Sequence, residues 1–263
     1  MKIAYHSLGS VDTGYGEDRG VGYPEALRGH LDAVSRSSTE VDLRGTTKGG
    51  LADSYRFFAG LDTADILENV LRMRNEDVDA LAIGNIFDPG LREARELLVF
   101  PVTGQLETSI LAGSFLADRV GLVSINDNQA AQSRDALRTY RLTNQVAAIE
   151  GIDADISAIS TAFEDAEARA NIVGTFEAAA ADCIAEGAEF LVPGGGILSM
   201  LLAEFGVDAV DGVPVMDQVA VQVKLTETLV ALYEMDAVRT SPVGTYEGLD
   251  SDRLDDLQDE YGI

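Results

Sequence analysis

Two short segments of the sequence combine a buried-strand pattern with a polar exit loop. In the first, 79–90, Asn85 follows shortly after the apolar run 80–83, and the second, 187–197, contains the three consecutive glycines 194–196. Short apolar runs of this kind are typical of parallel strands covered on both faces. Ligands of open parallel sheets bind beyond the carboxyl ends of the strands. We therefore look for the chemistry of this protein in these two exit loops.

Gly194, Gly195 and Gly196 could together bind an anion. Successive backbone N–H groups at the start of a helix form a concave site, and the helix dipole favours negative charge there. A glycine-rich tight turn without a ligand explains the same residues. The sequence leaves both interpretations open.

Four polar or aromatic side chains near predicted strand ends are further candidates. His6 ends the first predicted strand, so its imidazole could be a general base or a hydrogen-bonded structural group. Asn85 and Ser124 could hydrogen-bond a carboxylate or amide, or cap a helix. Tyr55 follows the loop 44–54 and could close over a ligand or pack against neighbouring aromatic rings.

The charge balance excludes some classes of partner. The chain has 45 Asp and Glu against 19 Lys and Arg, a net charge of −26, which repels nucleic acid and anionic membranes. A lysine-poor acidic surface suits a protein from a salt-loving source, because the Debye length shrinks to about 3 Å in molar salt. No apolar stretch predicts a membrane span or a signal peptide, so we expect a cytoplasmic protein.

Cys183 is the one cysteine of the chain. A single cysteine excludes an internal disulfide and a cysteine-based zinc cluster. It shares a helical stripe with Phe176, Ala179 and Ala180, which predicts a small buried side chain rather than a reactive thiol. No ligand spacing in the sequence supports a metal site.

The order of strand and helix patterns predicts an α/β fold with parallel sheets and right-handed crossovers. The expected strands are 2–5, 41–43, 80–83, 120–124, 146–149, 190–192 and 214–216. Residues 101–104 are expected to be a short strand or a crossing between the lobes. The expected helices are 24–34, 64–73, 106–116, 128–142, 159–186, 197–205 and 217–235. We expect a first lobe of residues 1–103 with 214–263, and a second lobe of residues 104–213, with a shared cleft between them.

Local signals refine three of these elements. Asp88 is expected to cap the helix that follows it, with Pro89 in the first turn, and Asp217 to cap the helix that ends near 235. The glycine-rich segment 11–23 is expected to be a loop over the site. The acidic segment 250–262 is expected to lie on the surface or to fray.

Several segments occur together in the order that one family shows. They are Asp-Pro-Gly-Leu at 88–91, Ala-Arg-Glu-Leu at 94–97, Pro-Val-Thr-Gly-Gln-Leu-Glu at 101–107, Val-Gly-Leu-Val-Ser at 120–124, Gly-Ala at 187–188, and Pro-Val-Met-Asp at 214–217 followed by Val221, Lys224 and Leu225. On these segments, which span most of the chain, the sequence resembles the aspartate/glutamate/hydantoin racemase superfamily, especially its hydantoin racemase branch.

The resemblance implies two Rossmann-like lobes related by pseudo-two-fold symmetry, with a small carboxylate or cyclic amide bound between them. It also implies an oligomer that needs no cofactor. Members of the family use two cysteines, one per lobe, on opposite sides of the substrate α-carbon. One thiolate removes the proton and the other thiol returns it, and relatives with one of these cysteines can be decarboxylases.

At the positions of those two cysteines this sequence has Asn85 and Gly195. Neither residue can accept or return a proton as a thiol does, and Cys183 lies on a helix well before the second loop. The resemblance further implies substrate contacts for Ser7 and Ser10 in the loop after the first strand.

Two acidic residues also match family positions near the site. Glu107 matches a family glutamate, although a charge in the first turn of a helix explains it as well. Asp217 matches a family aspartate, although helix capping explains it as well.

We therefore expect an isomerase-like or lyase-type enzyme of this superfamily with non-cysteine acid/base chemistry. In this hypothesis His6 or Glu107 is the base, assisted by Asn85, and the backbone N–H groups of 194–196 stabilise developing negative charge. The alternatives are a hydrolase on the same scaffold and a carboxylate-binding protein that has lost catalysis.

Overall fold

The structure is a computed structural model that describes residues 1–9, 23–47, 50 and 52–261. Ser10 and most of the segment 11–23 lie outside the described residues, so the predictions made for them stay predictions. No helix in the described part of the chain is long and apolar enough to cross a membrane.

The first sheet has four parallel strands in the order β2-β1-β3-β4. Its strands are β1 (Lys2–Ser7), β2 (Glu40–Arg44), β3 (Ala80–Gly84) and β4 (Val102–Gly104). The helices that connect them are α1 (Tyr23–Val34), α2 (Arg56–Met73) and α3 (Leu91–Leu97). Ile3 and Tyr5 of β1 pack into one apolar cluster and Ala4 packs into another on the opposite face, so the sheet is covered on both sides.

The second sheet has three parallel strands in the order β6-β5-β7. Its strands are β5 (Val120–Ser124), β6 (Val146–Gly151) and β7 (Phe190–Gly194). The helices of this region are α4 (Gln105–Ser114), α5 (Asp127–Tyr140), α6 (Ile156–Glu164), α7 (Ala166–Ala185) and α8 (Gly196–Glu204). The short antiparallel pair β8 (Ala209–Val210) and β9 (Val213–Pro214) leads into α9 (Gln218–Glu234), and α10 (Ser251–Tyr261) follows.

The predicted α/β class with parallel sheets and two lobes is confirmed, and β5 has the predicted bounds. The predicted lobe boundaries stay a prediction. Asp217 caps α9 as predicted, because its Oδ1 accepts the N–H of Ala220 at 3.0 Å. Cys183 is fully buried as predicted.

Four predicted elements were wrong in extent or type. The helix predicted at 159–186 is two helices, since Asp165 ends α6 and its carboxylate caps α7 at Glu167 and Ala168. The predicted strand 214–216 contributes only to the antiparallel pair and one parallel bridge from Val215 to Leu191. The acidic terminus lies on the surface as predicted, but it forms α10.

The fourth is the second helix, which begins before the predicted residue 64, at Arg56. Its first turns carry the exposed apolar residues Phe57, Phe58 and Leu61. These side chains do not continue the buried stripe of the helix, so the apolar spacing gives no signal there.

Asp88 caps a different helix from the one predicted. The helix after it, α3, begins directly after Gly90, and no side chain caps its first turn. The Asp88 carboxylate instead accepts the N–H groups of Leu106 and Glu107, both at 2.9 Å, in the first turn of α4. The residue at the N-cap position of α4 is Gly104, and a methyl group there would overlap the Asp88 carboxylate. The glycine leaves the space that the carboxylate occupies.

We expect Asp88→Ala to lower the free energy of unfolding by about 1–2 kcal/mol, because α4 loses its cap. Gly104→Ala displaces the same carboxylate and should destabilise by a similar amount. Since both changes remove one interaction, the double variant should cost clearly less than the sum of the two.

Urea unfolding in molar KCl measures these three values, with Asp259→Ala on the exposed face of α10 as the control for removing a carboxylate. Additive effects of Asp88→Ala and Gly104→Ala would contradict the proposed cap.

Candidate functional site

The exit of β3 and the start of α8 lie next to each other, as the two predicted segments require. A methyl group on Gly196 would lie 3.7 Å from the carbonyl oxygen of Gly84 and 3.5 Å from Nε2 of Gln105, the first residue of α4. The Tyr23 hydroxyl would lie 3.1 Å from it. The carboxyl ends of strands from both sheets and the first turns of α4 and α8 therefore meet in one region.

Polar side chains near this meeting point are buried without partners among the described residues. They include both polar atoms of the Gln105 amide, the Ser124 hydroxyl at the end of β5 and the Tyr5 hydroxyl. Gln105 is fully buried. Buried polar groups in proteins are almost always hydrogen-bonded, so such a group at a strand end marks a place where a ligand can bind.

A cavity of about 240 Å³ is lined in part by the exit loop of β3. Asn85 and Phe87 contribute to its wall from the exit loop, Arg56 from α2 and Gln132 from α5. Asp53, from the loop between β2 and α2, is also part of the wall. Elements of both lobes thus line this space.

Asp53 and Asn85 form a hydrogen-bonded pair in that cavity. Nδ2 of Asn85 donates to Oδ2 of Asp53 at 3.4 Å, while the amide oxygen of Asn85 accepts the N–H of Phe87 at 2.9 Å. Oδ1 of Asp53 is buried and has no hydrogen-bond partner among the described residues. The bond from Phe87 fixes the orientation of the Asn85 amide, which therefore presents its N–H group to the carboxylate.

The environment of Asp53 favours its neutral form. Asp53 is only 4% exposed, and burial raises the pKa of its carboxyl to about 7. The hydrogen bond from Asn85 lowers this pKa, whereas the nearby charge of Asp62 raises it. A carboxyl group with a pKa near neutrality can both accept and donate a proton under ordinary conditions.

Sequence reasoning missed Asp53. The chain has 45 acidic residues, and a single aspartate in a loop without regular structure has no spacing that sets it apart. The position of the loop, directly before an apolar helix, was the only available signal.

His6 was predicted as a base, and the structure places its ring inside the first lobe. Nε2 of His6 accepts a hydrogen bond from Nδ2 of Asn69 at 3.0 Å, and Nδ1 lies 2.9 Å from the carbonyl oxygen of Ser7. The Asn69 amide is oriented by Arg72, which donates to its oxygen at 2.7 Å. Both ring nitrogens are thus engaged, and the proton resides on Nδ1.

Glu107, the second predicted base, is the partner of the half-buried Arg95. Nη1 and Nη2 of Arg95 donate to the two carboxylate oxygens of Glu107, at 3.0 and 2.5 Å. Arg95 also donates from Nε and Nη2 to the carbonyl oxygen of Val102, both at 3.0 Å. A bidentate ion pair of this kind orients both side chains and occupies the carboxylate.

The remaining predicted site residues fall into different places. Ser7 lies at the end of β1 opposite Gly84, and Ser124 ends β5. Tyr55 is 61% exposed at the start of α2. Asp217 is engaged by its cap and by His30, whose Nε2 lies 2.8 Å from Oδ2.

The glycine loop is only partly available for a ligand. The N–H of Gly195 donates to the carbonyl oxygen of Pro193 at 3.0 Å, and Gly195 has φ +132°, a conformation that favours glycine. Gly194 pairs with Ser124 across the sheet. Gly196 begins α8, and the first N–H groups of a helix have no partner within the helix.

We expect His6 to stay neutral down to about pH 4, because burial lowers its pKa from 6.5 to about 4. Nitrogen-detected NMR of the His30→Asn variant, in which His6 is the one histidine left, should show the Nδ1-protonated ring and a midpoint near 4. Because the native pKa lies below the unfolded one, the stability that this group contributes is present above pH 6.5 and is lost as the pH falls through 4. A midpoint near 6.5 would show that the ring is open to solvent.

Comparisons with known proteins bear on the whole of this arrangement. The sequence profile described as Asp/Glu/Hydantoin racemase matches residues 49–226, more than half of the chain. The hydantoin racemase of Paenarthrobacter aurescens is 29% identical over 229 residues, which cover 85% of this chain and 90% of that protein. The hydantoin racemase of Pseudomonas sp. (strain NS671) is 27% identical over 218 residues, 82% of each chain.

The fold has close counterparts among solved structures. The allantoin racemase from Klebsiella pneumoniae has a TM-score of 0.76 and 24% identity, with 95% of this chain and 94% of that one covered. The allantoin racemase from Pseudomonas fluorescens has the same TM-score at 20% identity, with 95% and 97% covered. These structures share the two-lobed α/β fold described above. With the match of the family profile, the chain belongs to the Asp/Glu/hydantoin racemase family.

Proposed function

We propose that this protein is a cofactor-independent enzyme that moves a proton at the α-carbon of a small cyclic amide or carboxylate, without using a thiol. The proposal rests on buried polar groups at the strand ends. These groups lack hydrogen-bond partners among the described residues. Gln105, Ser124 and Asp53 each have such an atom. Together they supply hydrogen-bond donors for an oxygen and an acceptor for a proton.

The relatives support the substrate class. The similar proteins are named hydantoin racemases and allantoin racemases, and both names refer to cyclic amides. A racemase inverts a stereocentre, so the bond between carbon and hydrogen must break and form again. We propose that this chain acts on a substrate with the same kind of acidic C–H group next to a carbonyl.

The donors at the meeting point suit the charge that such a reaction develops. When the α-proton leaves, its electron pair moves into the adjacent carbonyl, and the oxygen becomes negative. The Gln105 amide, the Ser124 hydroxyl and the first turn of α8 could stabilise that oxygen, and the helix dipole adds to this effect. Such donors cost no reorganisation, because the fold already holds them in place.

The state of Cys183 supports a mechanism without a thiol. This residue packs on α7 against the second sheet, and burial raises the pKa of its thiol to about 12. The resemblance places the family's two cysteines at Asn85 and Gly195. Since the backbone at Gly195 has a φ of +132°, a side chain at this position would be strained.

We expect proton NMR in D₂O and molar KCl to show deuterium entering the α-position of at least one compound from a panel of 5-substituted hydantoins, allantoin, amino acids and malonates. Cys183→Ala should exchange at the wild-type rate, within about twofold, because the thiol lies in the core. Loss of exchange in a folded Cys183→Ala protein would contradict thiol-free chemistry. Product signals without α-exchange would indicate a lyase or hydrolase instead.

We expect Ser124→Ala to lower kcat/KM for that exchange about fivefold, the usual effect of losing one hydrogen bond. Ser35→Ala is the matched control and should leave kcat/KM unchanged. It removes a hydroxyl that donates to the Leu31 carbonyl at the end of α1. Equal effects of the two substitutions would remove Ser124 from the proposed site.

A further inference from the structure

Asp53 is the buried carboxyl group among the unpartnered polar groups named above, and its chemical step can be specified further. It lies in the wall of the 240 Å³ cavity, it is 4% exposed, and its Oδ1 is buried without a hydrogen-bond partner among the described residues. We infer that the Asp53 carboxylate is the base that removes the α-proton, and that Asn85 positions it. This inference rests on the proposed function and names the residue that carries out its central step.

Asp53 and Ser54 are held in place by hydrogen bonds from α5 and its N-cap residue. Nε2 of Gln132 on α5 donates to the backbone carbonyl of Asp53 at 3.0 Å. Nδ2 of Asn126, the N-cap of α5, donates to the hydroxyl of Ser54 at 3.2 Å. The carboxylate is therefore fixed relative to α5 as well as to the exit of β3, and a base that must meet a bound substrate in one geometry requires such positioning.

Asn85 holds one oxygen of Asp53, whereas the other oxygen has no hydrogen-bond partner among the described residues. Its amide N–H binds Oδ2, and its amide oxygen is fixed by the Phe87 N–H. In the proposed step the unpartnered Oδ1, buried in the wall of the cavity, accepts the proton. In this arrangement Asn85 is a positioning residue, and the pair of Asp53 and Asn85 stands where the family resemblance places the first thiol.

Burial is the largest cause of the raised pKa of Asp53, and neighbouring groups adjust it. From α2, Asp62 raises its pKa, and Arg56 is engaged in an ion pair with Asp135. The neighbours from α5 and from the β3 exit are the uncharged side chains of Gln129 and Asn85, whose hydrogen bonds lower the pKa. The result, a pKa of about 7, matches a base that must lose its proton again after each transfer.

The proposed step is balanced within the protein and its substrate. The C–H bond at the α-carbon breaks, Oδ1 of Asp53 forms an O–H bond with the proton, and the electron pair moves into the neighbouring carbonyl as an enolate. Return of a proton from the same carboxyl restores the substrate. In D₂O the carboxyl exchanges with solvent before the return, so the carbon acquires deuterium.

The test compares Asp53→Asn with the wild type in the α-exchange assay. We expect exchange to fall about 10²- to 10⁴-fold, the range for loss of a general base, with the dissociation constant of the active compound changed less than threefold. Asp259→Asn on α10 makes the same chemical change at an exposed position and should leave the rate unchanged. Exchange by Asp53→Asn at more than a tenth of the wild-type rate would overturn the inference.

The pH profile gives a second, independent readout. The wild-type kcat/KM should rise with pH through about 7, because Asp53 must be ionised to act as a base. Asn85→Ala should move the midpoint of this rise in kcat/KM to higher pH, and Asp62→Asn should move the midpoint to lower pH. If neither substitution moves the midpoint, the titration belongs to another group, and the role of Asp53 is contradicted.

Two further measurements distinguish an error in the assignment of the base from an error in the proposed function. Because the native pKa of Asp53 lies above its unfolded value, its stabilising effect is lost as the pH rises through 7, so Asp53→Asn should unfold no more easily than the wild type at pH 8. Failure of the wild type to exchange any compound would overturn the proposed function itself. Exchange by the wild type that survives in Asp53→Asn would overturn only the assignment of the base.

Discussion

The Asp88 carboxylate connects the two regions from which the candidate site is built. It extends from the exit loop of β3 and packs against Gly104. There it accepts hydrogen bonds from the N–H groups of Leu106 and Glu107 in α4. Asp88 also donates its own N–H to the Asn85 carbonyl at 3.0 Å, which closes the exit loop into a turn. One residue therefore positions Asn85 on one side and the first turn of α4, with Gln105, on the other.

Buried carboxylates in this acidic chain serve different purposes according to their partners. Glu227 on α9 is fully buried, yet it accepts a hydrogen bond from the Arg36 N–H and forms ion pairs with Lys224 and Arg36. Although burial alone raises its pKa, these bonds leave the pKa lowered. Asp53 has an amide as its partner and no cationic partner among the described residues, so burial dominates and its pKa rises. The first arrangement stabilises the fold, while the second keeps a proton acceptor available.

The family scaffold separates the position of chemistry from the group that performs it. Parallel strands bring their carboxyl ends to one edge, and helices that begin there direct N–H groups toward a bound oxygen. These features follow from the backbone and persist when side chains change. In the proposed mechanism, a carboxylate from a neighbouring loop, oriented by Asn85, takes the role of a thiol without a change of fold.

The sequence by itself determined the features that depend on local interactions. The apolar runs gave the α/β class and the bounds of β5, the helical stripe placed Cys183 in the core, and the spacing of Asp217 before α9 predicted its cap. Each of these depends on residues a few positions apart, where periodicity and capping rules apply.

Only the tertiary structure decided which polar groups are free to react. Asp53 meets Asn85 across 32 positions, and His6 is engaged by Asn69 across 63. Glu107 is paired with Arg95, and Asp88 caps α4 instead of α3. The free energy of a charge or a hydrogen-bonding group depends on burial and on the partner it finds in space, and neither can be read from the spacing of residues along the chain.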